Sequence, residues 1–172
     1  MKKLLTPLSL VISLCFLLCF SISCQQGKVT LDESQKAEIT ETIKQITKEV
    51  FEAGSNNELD RMFSYFSDNT ITIEHGKIDY SWEEHKKTAH EMMANMVELK
   101  YTMGEIEVDV LSADVAVLYG FYSYMMKDKS DNTFEGKDAW TWVFNYEEDE
   151  WKIRHVHISA LFAKLNKRRN NE

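Results

Sequence analysis

The sequence predicts an α+β domain in which three N-terminal helices pack on one face of a strongly bent antiparallel sheet. Three observations predict this. Apolar residues recur at helical spacing in three early segments, the period changes to two from about residue 101, and the later segments are joined by short links. Such links suit antiparallel neighbours and are too short for crossover helices. Long strands twist and bend, so helices laid across them enclose a cone with a cavity.

The helices are predicted from their start signals and apolar spacing. Residues 30–33, Thr-Leu-Asp-Glu, have the form of a capping box, and Gly54 is placed to end the first helix. A short second helix is predicted over 59–66, followed by a strand over 70–74. A second capping box at 81–84, Ser-Trp-Glu-Glu, opens the third helix.

Four long strands account for most of the remaining chain. Residues with alternating polarity are separated by short polar links, which predicts a meander of adjacent antiparallel strands. The predicted strands cover about residues 101–110, 114–127, 133–146 and 151–161.

The N-terminal stretch resembles a bacterial lipoprotein signal. Lys2 and Lys3 precede an apolar run over 8–20, and small residues then lead to Cys24. The resemblance implies that Cys24 is lipidated after cleavage and that the protein lies in the cell envelope, held to the bacterial outer membrane by its lipid alone. The alternative is an uncleaved anchor, because residues 4–22 approach the length of a membrane-spanning helix.

These signals divide the chain into four parts. The predicted organisation is a lipoprotein signal over 1–23, a tether over 24–30, a folded domain over 31–163 and a basic tail over 164–172. The folded domain is long enough to bury a hydrophobic core of its own.

Composition and charge exclude several classes of function. Cys15, Cys19 and Cys24 are the only cysteines, so the predicted folded domain holds no disulfide and no Cys-ligated metal. The net charge of −8 disfavours nucleic acid as a partner. The sequence contains no Gly-rich phosphate loop and no nucleophile elbow, and we expect no cofactor.

The segment DAWTWVFNYEEDEWKIRHVHIS, residues 138–159, carries a family resemblance. It is similar to the closing hairpin of the nuclear transport factor 2-like superfamily, particularly its SnoaL-like branch and the association domain of calcium/calmodulin-dependent kinases. The matching features are a strand, a tight charged turn, Trp151, and the strand motif of His155, His157 and Ser159. The resemblance implies a cone-shaped pocket for a small molecule and a homodimer through the outer face of the sheet. Members of the superfamily include isomerases, cyclases and dehydratases as well as non-catalytic binding and assembly domains.

His155 and His157 are the candidate catalytic residues, because a histidine suits acid–base chemistry near neutral pH. Strict alternation puts both in one row with Trp151. A four-residue loop over 147–150 would place Trp142 beside His155, so that both histidines point inward. A three-residue loop would place Trp142 beside Arg154 and turn the histidines outward. A structural role for both histidines is the other interpretation.

Candidate ligand-binding residues come from the aromatic rows of two strands and from one arginine. Aromatic rings with polar tips suit a flat apolar ligand and equally suit a core, and a guanidinium can hold a carboxylate in a two-pronged contact. The candidates are Tyr122, Tyr124, Trp140, Trp142 and Arg154. No metal site is expected, because a histidine pair lacks further ligands at tight spacing.

The acidic residues suggest no catalytic carboxylate by motif. Glu105, Glu107 and Asp109 form one row that is predicted to face solvent, and Glu135 and Asp138 lie near the start of a strand. The leading hypothesis is therefore an envelope lipoprotein that binds a small apolar or carboxylate-bearing molecule in its cone. The alternatives are a cofactor-independent SnoaL-like enzyme using histidine acid–base chemistry, and a protein–protein assembly module.

Overall fold

The computed structural model describes residues 31–74 and 76–166, with side chains as far as Ala160. In chain order the elements are α1 (Glu33–Ser55), α2 (Leu59–Phe63), β1 (Phe66–Glu74), β2 (Lys77–Asp79), α3 (Trp82–Met93), β3 (Met96–Val110), β4 (Val115–Asp128), β5 (Thr133–Glu147) and β6 (Glu150–Asn166).

The strands form one six-stranded sheet in the order β2-β1-β6-β5-β4-β3. Strands β3 to β6 are successive antiparallel neighbours, which confirms the predicted meander. Strand β1 joins the far side of β6 in parallel, and the short β2 pairs with β1 at the edge. The α+β fold with N-terminal helices against a mostly antiparallel sheet is therefore confirmed.

Helix α1 begins two residues later than the predicted capping box. Asp32 is its N-cap, and its side chain accepts a hydrogen bond from the backbone N–H of Gln35 at 2.8 Å. The Gln35 amide oxygen accepts in return from the Asp32 N–H at 3.0 Å. An aspartate caps at least as well as a threonine, and a glutamine completes the box as a glutamate would. Thr30 lies outside the described residues, and the prediction for Ser81 is confirmed by its bond from the Glu84 N–H.

Helix α2 ends earlier than the sequence predicts. The apolar spacing extends it to Phe66, but the helix stops at Phe63, and Phe66 begins β1 instead. Phe66 pairs with Ile153 of β6, so tertiary pairing takes over a residue whose spacing also suits a helix.

The hairpin between β5 and β6 differs from both predicted loop lengths. Glu147 pairs with Glu150, so only Glu148 and Asp149 form the turn, with φ of 52° and 65°. Positive φ at both central residues matches the right-handed twist of the flanking strands. Both predicted loops were too long, because Glu147 and Glu150 at the ends of the acidic run belong to the strands.

A bulge at Arg154 changes the alternation within β6. Phe144 pairs with Ile153 and Val143 pairs with His155, which leaves Arg154 as an extra residue. Ile153 is buried before the bulge. After the bulge Val156 is buried, whereas His155 and His157 are not. The predicted single row of Trp151, Ile153 and the two histidines is therefore wrong.

The core lies between α1 and the inner face of the sheet. Ile43 and Val50 of α1 pack with residues of β4, β5 and β6, and a second cluster joins α2 to α3 through Phe63 and Trp82. None of the helices within 31–74 and 76–166 is long and apolar enough to cross a membrane. The predictions for the leader and Cys24 lie outside the described residues.

Candidate functional site

The inner face of β4 and β5 carries the aromatic rows that the sequence predicts. Across the two strands Leu118 pairs with Trp142, and Tyr122 pairs with Asp138. Because paired residues of an antiparallel sheet point to the same side, Asp138 shares the face of the tryptophans. We define Tyr122, Asp138, Trp140 and Trp142 as the inner site.

Helix α1 contributes Phe51 to this site. Its ring centroid lies 5.8 Å from Tyr101, 5.5 Å from Tyr122, 5.1 Å from Trp140 and 5.9 Å from Trp142. These separations fall in the range of favourable aromatic pairs. One ring from the helix is therefore surrounded by four rings from the sheet, in the region where the sequence predicts a cavity.

Asp138 is the polar centre of the inner site. It is 2% exposed, and its Oδ2 accepts a hydrogen bond from the Tyr122 hydroxyl at 3.1 Å. Its Oδ1 is buried with no hydrogen-bond partner among the described residues, as are the indole Nε1 atoms of Trp140 and Trp142. Buried polar atoms are normally hydrogen-bonded, so this set is unusual in a core and is complementary to a ligand with both a donor and an acceptor.

The phenols around Asp138 are held in their protonated form. Burial raises the pKa of Tyr101 to about 12, with a further contribution from the charge of Glu74. Burial and the neighbouring Asp138 carboxylate raise the pKa of Tyr122 far above its usual range, and the same two causes raise the pKa of Tyr124. All three hydroxyls therefore keep their protons to a higher pH than an exposed tyrosine does, and each can donate a hydrogen bond.

Gly136 places the Tyr124 ring over β5. Tyr124 pairs directly with Gly136, and a Cβ built on the glycine would overlap the Tyr124 ring and its hydroxyl oxygen. The absence of a side chain at position 136 therefore lets the phenol lie flat across the neighbouring strand. Tyr124 contacts Tyr122 at 6.2 Å between centroids and extends the aromatic surface towards the β4–β5 turn.

The two histidines lie on the opposite face of the sheet from the inner site. Their partners across β5 are Val143 for His155 and Thr141 for His157, which alternate with the buried tryptophans. His157 is exposed, and its Nε2 is 3.3 Å from the Ser159 hydroxyl. The structure therefore separates the candidate catalytic residues from the candidate ligand-binding aromatic residues.

Arg154 is the bulged residue of β6, and its position matches neither of the two arrangements that the sequence suggested. Trp142 pairs with Val156, so it lies directly beside neither His155 nor Arg154. The Arg154 Nη1 atom is buried and has no hydrogen-bond partner among the described residues. Its guanidinium N–H groups could donate hydrogen bonds to a carboxylate.

One surface concavity lies away from the inner site, and another borders it. The first, of about 430 Å³, lies between α2 and α3 and is bordered by Arg61 and His90. The other, of about 220 Å³, lies where β3 bulges at Gly104 and reaches Tyr122. No group of three or more His, Cys, Asp or Glu residues in the described ranges is arranged to hold a metal ion.

The sequence profile of the SnoaL-like domain family matches residues 43–163. The chain belongs to the SnoaL-like domain family. This match runs from within α1 to within β6 and includes every residue of the inner site. Among curated proteins, none matches the chain in sequence.

Solved structures with the same fold have diverse functions. A proposed scytalone dehydratase from Novosphingobium aromaticivorans is 9% identical, with a TM-score of 0.73 over 80% of this chain and 94% of that one. A hexachlorocyclohexane dehydrochlorinase, LinA-type3 from Novosphingobium barchaimii, is 9% identical, with a TM-score of 0.68 over 78% and 94%. The association domain of Caenorhabditis elegans CaMKII is 17% identical, with a TM-score of 0.60 over 74% and 99%. At these identities the likeness shows the fold alone.

Sequence reasoning missed three residues of this region: Phe51, Tyr101 and Asp138. A signal for Asp138 was present, because it lies two residues before Trp140 and four before Trp142 on one strand and so shares their face. Phe51 directly follows Val50 on α1, and its place among the sheet's aromatic rings depends on how the helix crosses the sheet.

Proposed function

We propose that this SnoaL-like domain binds a small, flat, largely apolar molecule that donates a hydrogen bond, between α1 and the inner face of the sheet. The observation that carries the proposal is Asp138, a carboxyl group that is 2% exposed and has one oxygen without a partner in the described part of the chain. Leaving such a group unpaired is costly, and a ligand donor would remove that cost.

The surroundings define the rest of the ligand. Aromatic faces of Tyr122, Trp140 and Trp142 suit a flat ring, and the indole N–H groups suit an oxygen that accepts a hydrogen bond. A hydroxyl group on an aromatic ring meets both needs. The charge of Asp138 favours such a ligand over the carboxylate-bearing one that Arg154 alone would suggest.

The test is a titration with three matched probes followed by ¹⁹F NMR: 4-fluorophenol, 4-fluorotoluene and 4-fluorobenzoate. They share one ring and differ in a single substituent. We expect saturable binding in the order phenol, toluene, benzoate, because only the phenol donates to Asp138 and the benzoate is repelled by it. Equal affinity for phenol and toluene would contradict a role for the carboxyl group, and tightest binding of the benzoate would favour Arg154 as the anchor.

Acid–base catalysis is the second candidate function, and the position of Asp138 favours it over the exposed histidines. A carboxylate hydrogen-bonded to Tyr122 inside an aromatic site could accept a proton from a carbon next to a carbonyl group. Deuterium uptake by a ketone probe such as 2-tetralone in D₂O would be lost in Asp138→Asn and kept in His157→Ala. Uptake that depends on His157 instead would restore the histidine hypothesis.

We also propose that the domain acts in the bacterial cell envelope as a lipid-anchored homodimer. The lipid signal before Cys24 supports the anchor, and exposed aromatic residues on the outer sheet face, Tyr119 at 37% and Phe121 at 44%, support self-association. Labelling with an alkyne fatty acid should be lost in Cys24→Ser, and sedimentation should give a monomer for Phe121→Glu. Labelling of Cys24→Ser would contradict the lipid anchor, and a dimer of Phe121→Glu would contradict the proposed dimer face.

A further inference from the structure

The Phe51 ring fills the place that a flat ligand would take in the inner site. It is the central member of the aromatic cluster, with Tyr101, Tyr122, Trp140 and Trp142 around it at centroid distances of 5.1 to 5.9 Å. These neighbours come from three different strands, whereas Phe51 alone comes from a helix. The sheet thus forms a receptor for one ring, and the chain itself provides that ring.

A phenylalanine ring matches only the apolar part of this receptor. The inner site also holds the Asp138 Oδ1 acceptor and the Nε1 donor of Trp140, and neither atom has a hydrogen-bond partner in the described ranges. A hydrocarbon ring can satisfy neither atom. A ring of the same size that carries a hydroxyl group could accept from the indole and donate to the carboxylate.

We propose that Phe51 is an internal occupant of the inner site, displaced when an aromatic ligand with a hydrogen-bond donor binds. This inference rests on the proposed function and adds a gate to it. The gating residue sits in the last turn and a half of α1, which ends at Ser55, and it is only half-buried. Trp140, by contrast, is 2% exposed, so the Phe51 ring is the one that moves at lower cost.

The expected consequence is that occupancy by Phe51 weakens ligand binding. An apparent affinity is reduced by the fraction of molecules in which the site is open, so deleting the occupant restores the intrinsic affinity. We expect Phe51→Ala to bind 4-fluorophenol at least about tenfold more tightly than the unchanged chain. The gain for 4-fluorotoluene should be smaller, because that probe leaves Asp138 without a donor.

The experiment is a ¹⁹F titration of the full chain and its Phe51→Ala and Phe51→Leu variants with both probes. Tyr80→Ala is the control, since it removes an exposed aromatic ring that belongs neither to the inner site nor to the proposed dimer face. A Phe51→Ala, Asp138→Asn double variant tests whether the phenol preference depends on the carboxyl group. Thermal unfolding verifies that each variant is folded, and Phe51→Leu provides the same comparison if the alanine variant is not.

The outcomes separate this inference from the proposed function. Tighter binding in Phe51→Ala or Phe51→Leu, with a phenol preference that is lost in the Asp138→Asn background, supports both. Equal Asp138-dependent binding in the unchanged chain and the Phe51 variants overturns the gate and leaves the proposed function intact. Absence of Asp138-dependent binding in every folded variant overturns both.

Discussion

Two tyrosine–carboxylate pairs on the same sheet differ almost only in their surroundings. The Tyr122 hydroxyl donates to Asp138 at 3.1 Å on the inner face, and the Tyr119 hydroxyl donates to Glu107 at 3.1 Å on the outer face. Tyr119 and Tyr122 are three residues apart on β4 and therefore point to opposite sides. The inner pair is enclosed by α1 and aromatic rings, whereas the outer pair is exposed.

The difference explains where chemistry can be concentrated in this domain. An exposed hydrogen bond exchanges freely with water, so it contributes little to stability or recognition. The same bond in a buried, low-dielectric site is strong, and the second carboxylate oxygen is costly to leave without a hydrogen-bond donor. Each prediction below compares an inner change with its outer counterpart.

The largest expected effect comes from removing an inner ring. Trp140→Ala should lower the free energy of unfolding by about 3–5 kcal/mol, because it removes a ring that contacts Phe51, Tyr122 and Trp142. Tyr80→Ala, which removes an exposed ring, should lower it by less than about 1 kcal/mol. Urea unfolding of both variants measures the difference, and losses of equal size would mean that the inner cluster is not the core of the domain.

High pH should destabilise the domain through the inner phenols. Tyr101 keeps its proton to about pH 12 in the folded state, whereas an unfolded tyrosine releases it near 10. Its contribution is therefore fully present below pH 10 and is lost as the pH rises towards 12, at about 1.4 kcal/mol per pH unit.

The variant Tyr101→Phe tests this contribution by unfolding between pH 9 and 12. The slope should become shallower in Tyr101→Phe, while Tyr80→Phe, which changes an exposed residue, should leave it unchanged. An unchanged slope in Tyr101→Phe would show that Tyr101 ionises normally in the folded chain.

A smaller effect is expected from the two hydroxyls themselves. Tyr122→Phe removes the hydroxyl that donates a hydrogen bond to Asp138, and it should lower the free energy of unfolding by about 1–3 kcal/mol. Tyr119→Phe should change it by less than about 0.5 kcal/mol. Chemical denaturation of the two single variants tests this, and a larger loss for Tyr119→Phe would reverse the assignment of the buried pair.

The smallest effect is expected from the histidines on the outer face. His155→Ala and His157→Ala should bind 4-fluorophenol with affinities within about twofold of the unchanged chain, since neither side chain lies on the face of the inner site. A loss of more than about tenfold in either variant would place the ligand on the outer face.

Much of the fold could be predicted from the sequence, because polarity alternates strictly over long stretches. The aromatic row of β4 was predicted correctly, since Tyr122 and Tyr124 lie on one face of the sheet. The β6 rows were not, because one extra residue at Arg154 reverses the side chains from His155 to Ala160. No local pattern marks that bulge, whose position depends on how β6 fits between β1 and β5.

The same limit applies to the site. The tryptophans of β5 were predicted as ligand-binding residues from alternation, and Asp138 follows from the same rule because it lies in the predicted strand and shares their row. Phe51 could not be predicted, because its contacts with Trp140 depend on the crossing of α1 over the sheet, which spacing along one chain does not specify.

The most direct test of the inner site is to compare 4-fluorophenol binding to Asp138→Asn and Glu107→Gln. Each variant neutralises one carboxylate of the two matched tyrosine pairs. The account predicts that Asp138→Asn weakens binding by about 10-fold or more, the value of a hydrogen bond to a charged group, and that Glu107→Gln leaves it unchanged. Equal affinities for the two variants would contradict the inner site as the place where this domain binds its ligand.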